Sequence, residues 1–527
     1  MSVQLPIGWQ ESIADRSRFI LENSRKTPTV GKTWYELLSE VSTCENGYYL
    51  TWLAMTGCYP DKFEYREFFT QTTIYGLQQS VQNVLASRAR NQESARNLVS
   101  IELVSPKFNH LVDVTHTYSA PYLTGIQRVV FGVVTGPENI SPYVWVGDSG
   151  IIQEREMQMV EPTETGAPLS EAHGRNLRLV HFLHSQVPKF DKTRMGTRLR
   201  IFLLPFARKT KQYLIAREVE AQMKSVVDHR FTNVLILNST LTIPEIPASL
   251  RQISIYESIL ENEIVPVQVI LYDFIPFFHA WTVHPGNRGH LNSYVRIVLL
   301  ANRILSISSL VQEQAKLITK AFRLERSEWS QRKQVFDYLE LPSGLKPADS
   351  GEFKKQKNLI VMAGSLEPRK NHMQFLSAIE FLSREGMSVK AKILGSAGWE
   401  NENILAKIHD LQSKGIDVER LGNLSDEGMR KLIAEAQVLL QISEAEGFGL
   451  PIAEALALGT KVIVSNVRPL NEWKSSRVSI VEIGDFEQLK KALHKILSKP
   501  EIIGKSSPEK ITWGDWHRLL YGKKPTL

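Results

Sequence analysis

Along the first hundred residues, apolar positions recur three and four apart with polar residues between them. Segments such as TWYELLSEV and TIYGLQQSVQNVLASRARNQESARN carry this spacing and end in a polar stretch, while β-rich runs are scarce. The spacing predicts a helical N-terminal extension over residues 1–105, closing in a linker. From residue 106 the period changes. Short apolar runs alternate with amphipathic stretches, the pattern of parallel strands buried on both faces by helices.

HLVDVTH, YVWVG, LRLVHFLH, RIFLLPF, NVLILN, VQVILYDFIP and RILSIS read as strands, and ARKTKQYLIAREVEAQMKSVV as one of the helices between them. They predict a doubly wound domain over residues 106–325. SEWSQRKQVFDYLELPSGLKPADSGEFKKQK is polar and rich in turn formers, and reads as a linker. Beyond it the alternation restarts with strands at NLIVMAG, VKAKILG, DVERLG, QVLLQIS, KVIVSN and VSIVEI. Helices are expected from Asn371, Ser425 and Pro451 and near 486–498. This gives a second Rossmann-like domain over residues 326–510, with a C-terminal helix in 511–527 expected to pack back toward the first. The fold class is α/β, two Rossmann-like doubly wound domains facing a cleft, and the cleft is the expected ligand site.

Composition narrows the functional classes. The chain has 527 residues, enough for two or three domains, and is 43% hydrophobic and 23% charged, as soluble globular proteins are. The longest apolar stretch, VRIVLLANRILSISSLV, is interrupted by Arg296 and Arg303, so no membrane span is expected. The start has no basic region followed by an apolar one, and the two cysteines, Cys44 and Cys58, form no ligand or disulfide pattern; both fit a cytoplasmic protein. A net charge of +7 suits anionic partners such as nucleotide phosphates, and allows peripheral contact with the inner face of an acidic membrane. Nucleic acid is not expected, for no basic run carries interleaved aromatics.

The candidate chemistry centres on SEAEGFGLPIAEALALGTKVIVSN. QVLLQIS supplies a buried strand, EAEGFG the loop beyond its carboxyl end, and Pro451 suits the opening of a helix because its missing N–H would be unpaired there. Gly447 and Gly449 allow close backbone approach, and the helix N-terminus presents free N–H groups to an anion. Glu446 and Glu454 can each accept hydrogen bonds from a sugar diol; singly, a solvated loop acid and a dipole-stabilised helix acid explain them equally well. After the first strand of the same domain, Arg369 and Lys370 reach the crevice and could neutralise a diphosphate, although an isolated pair of this kind is as often a solvated basic turn. His116, at the end of the first strand of the preceding domain, faces the expected cleft and could contact a sugar, or serve as a packed or capping histidine. His279, His284 and His290 match no zinc spacing and read as an acceptor-side loop.

In order, MAGSLEPRKNH, LGSAGWE, GNLSDEGMRKLIAEAQVLLQISEAEGFGLPIAEALALGTKVIVSN and ITWGDW resemble the retaining GT-B glycosyltransferases of the large group called family 4. The match is close over about 350–525, including the E-x7-E pattern at Glu446 and Glu454. DVTHTYSAPYLTGIQRVVFGV is similar more loosely, with Gly125, Ile126 and Arg128 in the GI.R positions, as is VILYDFIPFF, where Tyr272 replaces the usual histidine. Tyr272 thus departs from the pattern at the position where the resemblance would place an acid, base or polarising group.

The resemblance implies that Glu454 binds the donor ribose, Glu446 the hydroxyls of the transferred sugar, and Arg369 and Lys370 the diphosphate. The backbone of Phe448, Gly449 and Leu450 would support sugar and phosphate, and Gly125 would let the facing loop approach. Ser365 stands where many relatives carry arginine, which shifts phosphate binding onto Arg369 and Lys370; Lys461 replaces a common proline. No D-x-D occurs, so a metal-independent reaction with no cofactor is expected, its partners a nucleotide-sugar donor and a glycan or lipid-linked acceptor. EPRKN with GW looks more like mannosyl- or rhamnosyltransferases than like sucrose or starch synthases, and cell-surface polysaccharide or lipopolysaccharide assembly is the implied setting. The alternative is a catalytically degenerate GT-B scaffold or sugar-nucleotide-binding protein. An epimerase or a phosphorylase is a weaker reading, and neither domain shows G-x-G-x-x-G after its first strand for a dinucleotide.

Overall fold

The computed structural model describes residues 7–28, 31–89, 101–119, 125–135, 139–155, 231–284, 294–325, 332–344, 352–422, 424–498, 503–505 and 511–522. The expected strands LRLVHFLH and RIFLLPF and the helix ARKTKQYLIAREVEAQMKSVV lie outside the described residues.

Two large, mainly parallel sheets organise the described residues. The carboxy-terminal sheet has six strands in the spatial order Asp417–Leu421, Lys390–Leu394, Leu359–Ala363, Val438–Gln441, Lys461–Ser465 and Val478–Val481, all parallel. Numbered along the chain this is 3-2-1-4-5-6, so the direction of winding reverses between Leu359–Ala363 and Val438–Gln441, where the loops beyond the carboxyl ends part and leave a crevice. Both strands are buried along their whole length, because helices cover both faces of the sheet.

Among the described residues the amino-terminal sheet has seven strands in the order Ile152–Glu154, Ile140–Trp145, His110–Asp113, Thr240–Ile243, Val267–Leu271, Arg303–Ser306 and Val335–Tyr338. Of these strands, Ile152–Glu154 runs antiparallel to its neighbour and the others pair in parallel. The reversal here lies between His110–Asp113 and Thr240–Ile243. Two expectations change. Val335–Tyr338 falls in the stretch read as a linker, yet pairs with Arg303–Ser306 as the edge strand; its residues are exposed or half-buried, which is why no apolar run announced it. NVLILN contributes only its start to the strand Phe231–Val234, which pairs with Ile101–Val104 in a separate two-stranded sheet.

The amino-terminal helices Ile7–Asn23, Trp34–Val41, Gly47–Thr56, Lys62–Tyr75 and Leu77–Ala89 do not stand apart from this sheet. Trp9, Ile13, Tyr49, Trp52 and Phe68 share one apolar core with Leu111, Tyr143, Ile243 and Tyr256. Polar ties cross the same boundary: the Tyr59 hydroxyl donates to the Val234 carbonyl at 2.6 Å, and Lys62 pairs with Glu257 at 3.3 Å and Glu261 at 2.7 Å. The C-terminal helix Trp513–Tyr521 lies on the amino-terminal unit, with Trp516 fully buried and His517 bonded to the Gly132 carbonyl at 2.8 Å.

Candidate functional site

In the carboxy-terminal domain, Leu359–Ala363 ends at Gly364, whose φ of +134° and contact with the Lys370 side chain exclude a Cβ-bearing residue without strain. A 3₁₀ turn over Pro368–Lys370 and a left-handed Asn371 then open the helix His372–Arg384. Two bonds lash this loop to the one after Val438–Gln441: Asn371 Nδ2 donates to the Ile442 carbonyl at 2.9 Å and Glu444 N to the Arg369 carbonyl at 2.8 Å.

Glu446 is the hub of the resulting cluster. Its Oε1 accepts from Lys370 Nζ, from Gln441 Nε2 at 2.7 Å and from Ser443 Oγ at 2.6 Å, while Oε2 faces Arg369 Nη1 at 3.3 Å. Burial opposes ionisation, but Lys370 and Arg369 outweigh it and hold the carboxyl down at about 2. Glu446 is thus a permanent anion that accepts hydrogen bonds and gives no proton. Burial in turn lowers Lys370, with Glu446 opposing. Arg369 also reaches Glu367 at 3.1 Å, whose other oxygen takes the Ser365 hydroxyl at 2.7 Å.

The helix Leu450–Ala457 begins one residue before Pro451, on a left-handed Gly449 with φ +94°. Phe448 is buried beside Trp473, ring centroids 5.2 Å apart, in an apolar cluster that includes Val112, Ile270 and Leu305 of the facing domain. The two domains touch at Gly447, whose carbonyl accepts from Ser308 Oγ at 2.7 Å and where an added Cβ would stand 2.0 Å from the Tyr272 carbonyl. Gly125 starts the helix Gly125–Val134 and faces Leu450, whose Cδ2 lies 4.0 Å from where a Cβ would be. Arg369, Lys370 and Glu446 are therefore in one cluster, and Gly125, Leu450 and Glu454 line the seam beside it.

His116 lies on the helix Thr115–Ser119, and its recorded partners belong to the amino-terminal domain. Its Nδ1 is 3.2 Å from Glu245 Oε2 and 3.3 Å from Gln127 Nε2. The bond to Glu245 raises its basicity. Tyr272 is half-buried, its hydroxyl has no hydrogen-bond partner among the described residues, and desolvation pushes its ionisation well above the ordinary range. Of the three histidines, His284 meets Trp399 of the other domain edge-on at 6.0 Å, His279 meets Trp281 at 5.3 Å, and His290 lies outside the described residues.

Sequence reasoning missed three side chains. Arg128 bonds Glu454 across the domain seam and also reaches Asp426 at 3.4 Å. Glu245 is buried, fixing Thr117 N at 2.8 Å and the His116 ring. Arg128 was visible as the last position of GI.R; Glu245 and Asp426 had no signal.

A pair of doubly wound sheets, with an acid held between cations at the switch point of the second, defines the class as a two-domain α/β protein whose crevice is the candidate ligand site. Residues 347–510 match the family described as glycosyl transferases group 1, and the chain carries that domain. Over 157 residues it is 31% identical to the serotype-specific mannosyltransferase WbdA of Escherichia coli, covering 30% of this chain and 19% of that protein. It is 37% identical over 127 residues to the O-antigen chain mannosyltransferase B of Escherichia coli, covering 24% of this chain and 33% of the relative. It is 28% identical over 144 residues to the GDP-mannose-dependent alpha-(1-6)-phosphatidylinositol dimannoside mannosyltransferase of Mycobacterium tuberculosis, covering 27% and 36%. The chain thus spans about a fifth of the length of WbdA and about a third of the other two.

Proposed function

We propose that this protein is a retaining, metal-independent glycosyltransferase that moves a hexose or deoxyhexose from a nucleoside diphosphate sugar to a hydroxyl of a glycan or lipid-linked acceptor. The cluster of Glu446 with Lys370 and Arg369 at the switch point of a group 1 domain carries this reading. Mannose from GDP-mannose is the donor that the relatives' names favour. A net charge of +7 suits a protein that meets a lipid-linked acceptor at an acidic membrane face; among the described residues no helix is long and apolar enough to cross a membrane.

In such a transfer the bond from sugar C1 to the diphosphate oxygen loosens first, placing negative charge on the leaving group and positive charge on the sugar. Arg369 and Lys370 are fixed beside the place where the negative charge grows, which is where fixed cations stabilise the transition state most. Glu446, always ionised, accepts from the sugar's hydroxyls, and Glu454 from the ribose diol. The backbone of Phe448, Gly449 and Leu450 holds the phosphates, with Gly125 and His116 on the facing wall. The departing phosphate oxygen takes the acceptor's proton as the acceptor oxygen bonds to C1 on the same face. No enzyme base is needed. Closure at Gly447 excludes water.

Radiolabelled GDP-mannose, UDP-glucose and dTDP-rhamnose, each offered with mannose-terminated oligosaccharides, test the reading. Transfer with retained configuration is expected, weaker donor binding for Glu454→Gln, and loss of transfer by about a hundredfold or more for Arg369→Ala with Lys370→Ala. Unchanged transfer in these variants would falsify the site assignment, and donor binding without transfer or hydrolysis would favour a degenerate scaffold.

A further inference from the structure

Glu454 has 1% of its side chain exposed, and the helix it sits on, LPIAEALA, contains no cation. Its guanidinium partner comes from the other domain. Arg128, itself only 15% exposed, bonds Glu454 and leans on Asp426 at 3.4 Å, so that one amino-domain cation is held between two carboxy-domain carboxylates. Asp426 opens the helix Asp426–Glu435, and Arg430, one turn further on, is the other cation whose field reaches Glu454. The charges facing Glu454 are therefore Arg128 and Arg430 in favour of its ionisation and Asp426 against.

Burial raises Glu454 above the ordinary carboxylate range, with Arg128 the chief opposing influence. A buried carboxyl deprived of its counter-ion takes up a proton rather than remain charged. A protonated carboxyl gives up acceptor sites to its own O–H, whereas the carboxylate has about four lone-pair positions, enough for an arginine fork and two ribose hydroxyls together.

We propose that Arg128 is a positioning residue of the donor site, supplied across the cleft, which keeps Glu454 ionised so that the ribose seat is competent only while the two domains are closed. This rests on the reading of Glu454 as the ribose acceptor. It makes domain closure part of donor recognition: when the seam opens, Glu454 loses its cation and its grip on the diol weakens.

Dissociation constants for GDP, measured calorimetrically at pH 6, 7.5 and 9, test this in wild type, Arg128→Gln, Arg128→Lys, Glu454→Gln and the double variant Arg128→Gln/Glu454→Gln. Each is taken as a ratio to wild type at the same pH, which cancels titration of the nucleotide. Arg128→Gln is expected to bind about tenfold or more weaker at pH 6, a gap that narrows by pH 9 as Glu454 ionises unaided. Arg128→Lys keeps the charge, folds under the same constraints and stays within about threefold of wild type at every pH. In the Glu454→Gln background, Arg128→Gln adds no pH dependence, because no carboxyl remains to titrate. A ratio for Arg128→Gln that does not vary with pH overturns the proposal. So does tighter binding, which would mean that Arg128 blocks the ribose seat, or a pH-independent loss in Arg128→Lys beyond tenfold, which would make the fork and not the charge decisive. If wild type binds no nucleoside diphosphate at all, the reading of the site fails; if wild type binds and Glu454→Gln weakens it while Arg128→Gln does not, only this inference fails.

Discussion

Glu446, with 10% of its side chain exposed, and Asp113, buried, are carboxyls whose surroundings drive them to opposite states. Glu446 sits between Lys370 and Arg369 and stays ionised down to about pH 2. Asp113 has no cation among its bonded partners: it accepts from Thr115 N at 2.9 Å, from Thr115 Oγ and from the Tyr256 hydroxyl at 2.6 Å, and burial raises it to about 6. A folded-state value above the unfolded one contributes stability that is complete below about pH 4 and is lost as pH rises through 6. Asp113→Asn removes this titration. Its stability relative to wild type is expected to rise between pH 4.5 and 7.5 by about 2 kcal/mol, read from urea unfolding at several pH values; parallel profiles would exclude the assignment. The chemistry of Glu446 was legible in the sequence because Arg369, Lys370 and Glu446 all sit on two loops that one sheet topology must bring together. The pairing of Arg128 with Glu454 was not, since the two lie 326 positions apart and meet only across the two domains. Glu245 was hidden for the same reason, 129 positions from His116.

Elements were legible in proportion to their burial. Leu359–Ala363 and Val438–Gln441 are covered on both faces, so their sequences are continuous apolar runs of strand length. Val335–Tyr338, at a sheet edge, and Ile101–Val104, in a two-stranded ribbon, carry no such run and were absorbed into linkers. The amino-terminal helices show the reverse: their period was clear, but not what they pack on. The helix Gly47–Thr56 ends against Ile7–Asn23, whose Arg16 is buried and takes over its last carbonyls, donating from Nε to Ala54 O at 2.7 Å and from Nη2 to Met55 O at 3.0 Å. A third bond, from Nη1 to Ile101 O at 3.0 Å, ties the ribbon to the same side chain. Burial lowers this guanidinium only to about 10, so it remains charged at neutral pH. Arg16→Met keeps much of the volume and removes all three bonds, leaving buried carbonyls unpaired. A loss of about 3 kcal/mol is expected in thermal or urea unfolding; a melting temperature within a degree of wild type would show that water replaces the guanidinium at no cost.

At the scale of the whole molecule, the shared core decides whether the amino-terminal helices are an appendage or a foundation. A tethered extension would bury its apolar face within itself, and the domain behind it would fold without it. Here Trp9, Ile13, Tyr49 and Phe68 pack in the same cluster as Leu111, Tyr143 and Ile243, which lie on the strands preceding or flanking His116 and Glu245, and as Tyr256 of the helix Leu250–Glu261. Arg251 on the helix Leu250–Glu261 binds Asp61 at 2.9 Å and Glu64 at 3.0 Å, and Phe231–Val234 has Ile101–Val104 as its strand partner. A chain beginning at residue 106 would thus expose an apolar sheet face, strand the charge of Arg251 and open a sheet edge, each a route to aggregation. The expected outcome is insoluble protein, or a soluble form that binds a hydrophobic dye and lacks cooperative melting, with donor binding lost together with the fold. Residues 106–527 recovered as a monodisperse species melting within a few degrees of the full chain would refute the shared core as a requirement. The seam at Gly447 would then depend on the two sheets alone, and donor affinity in that shortened chain would measure how much of the site the amino-terminal helices support.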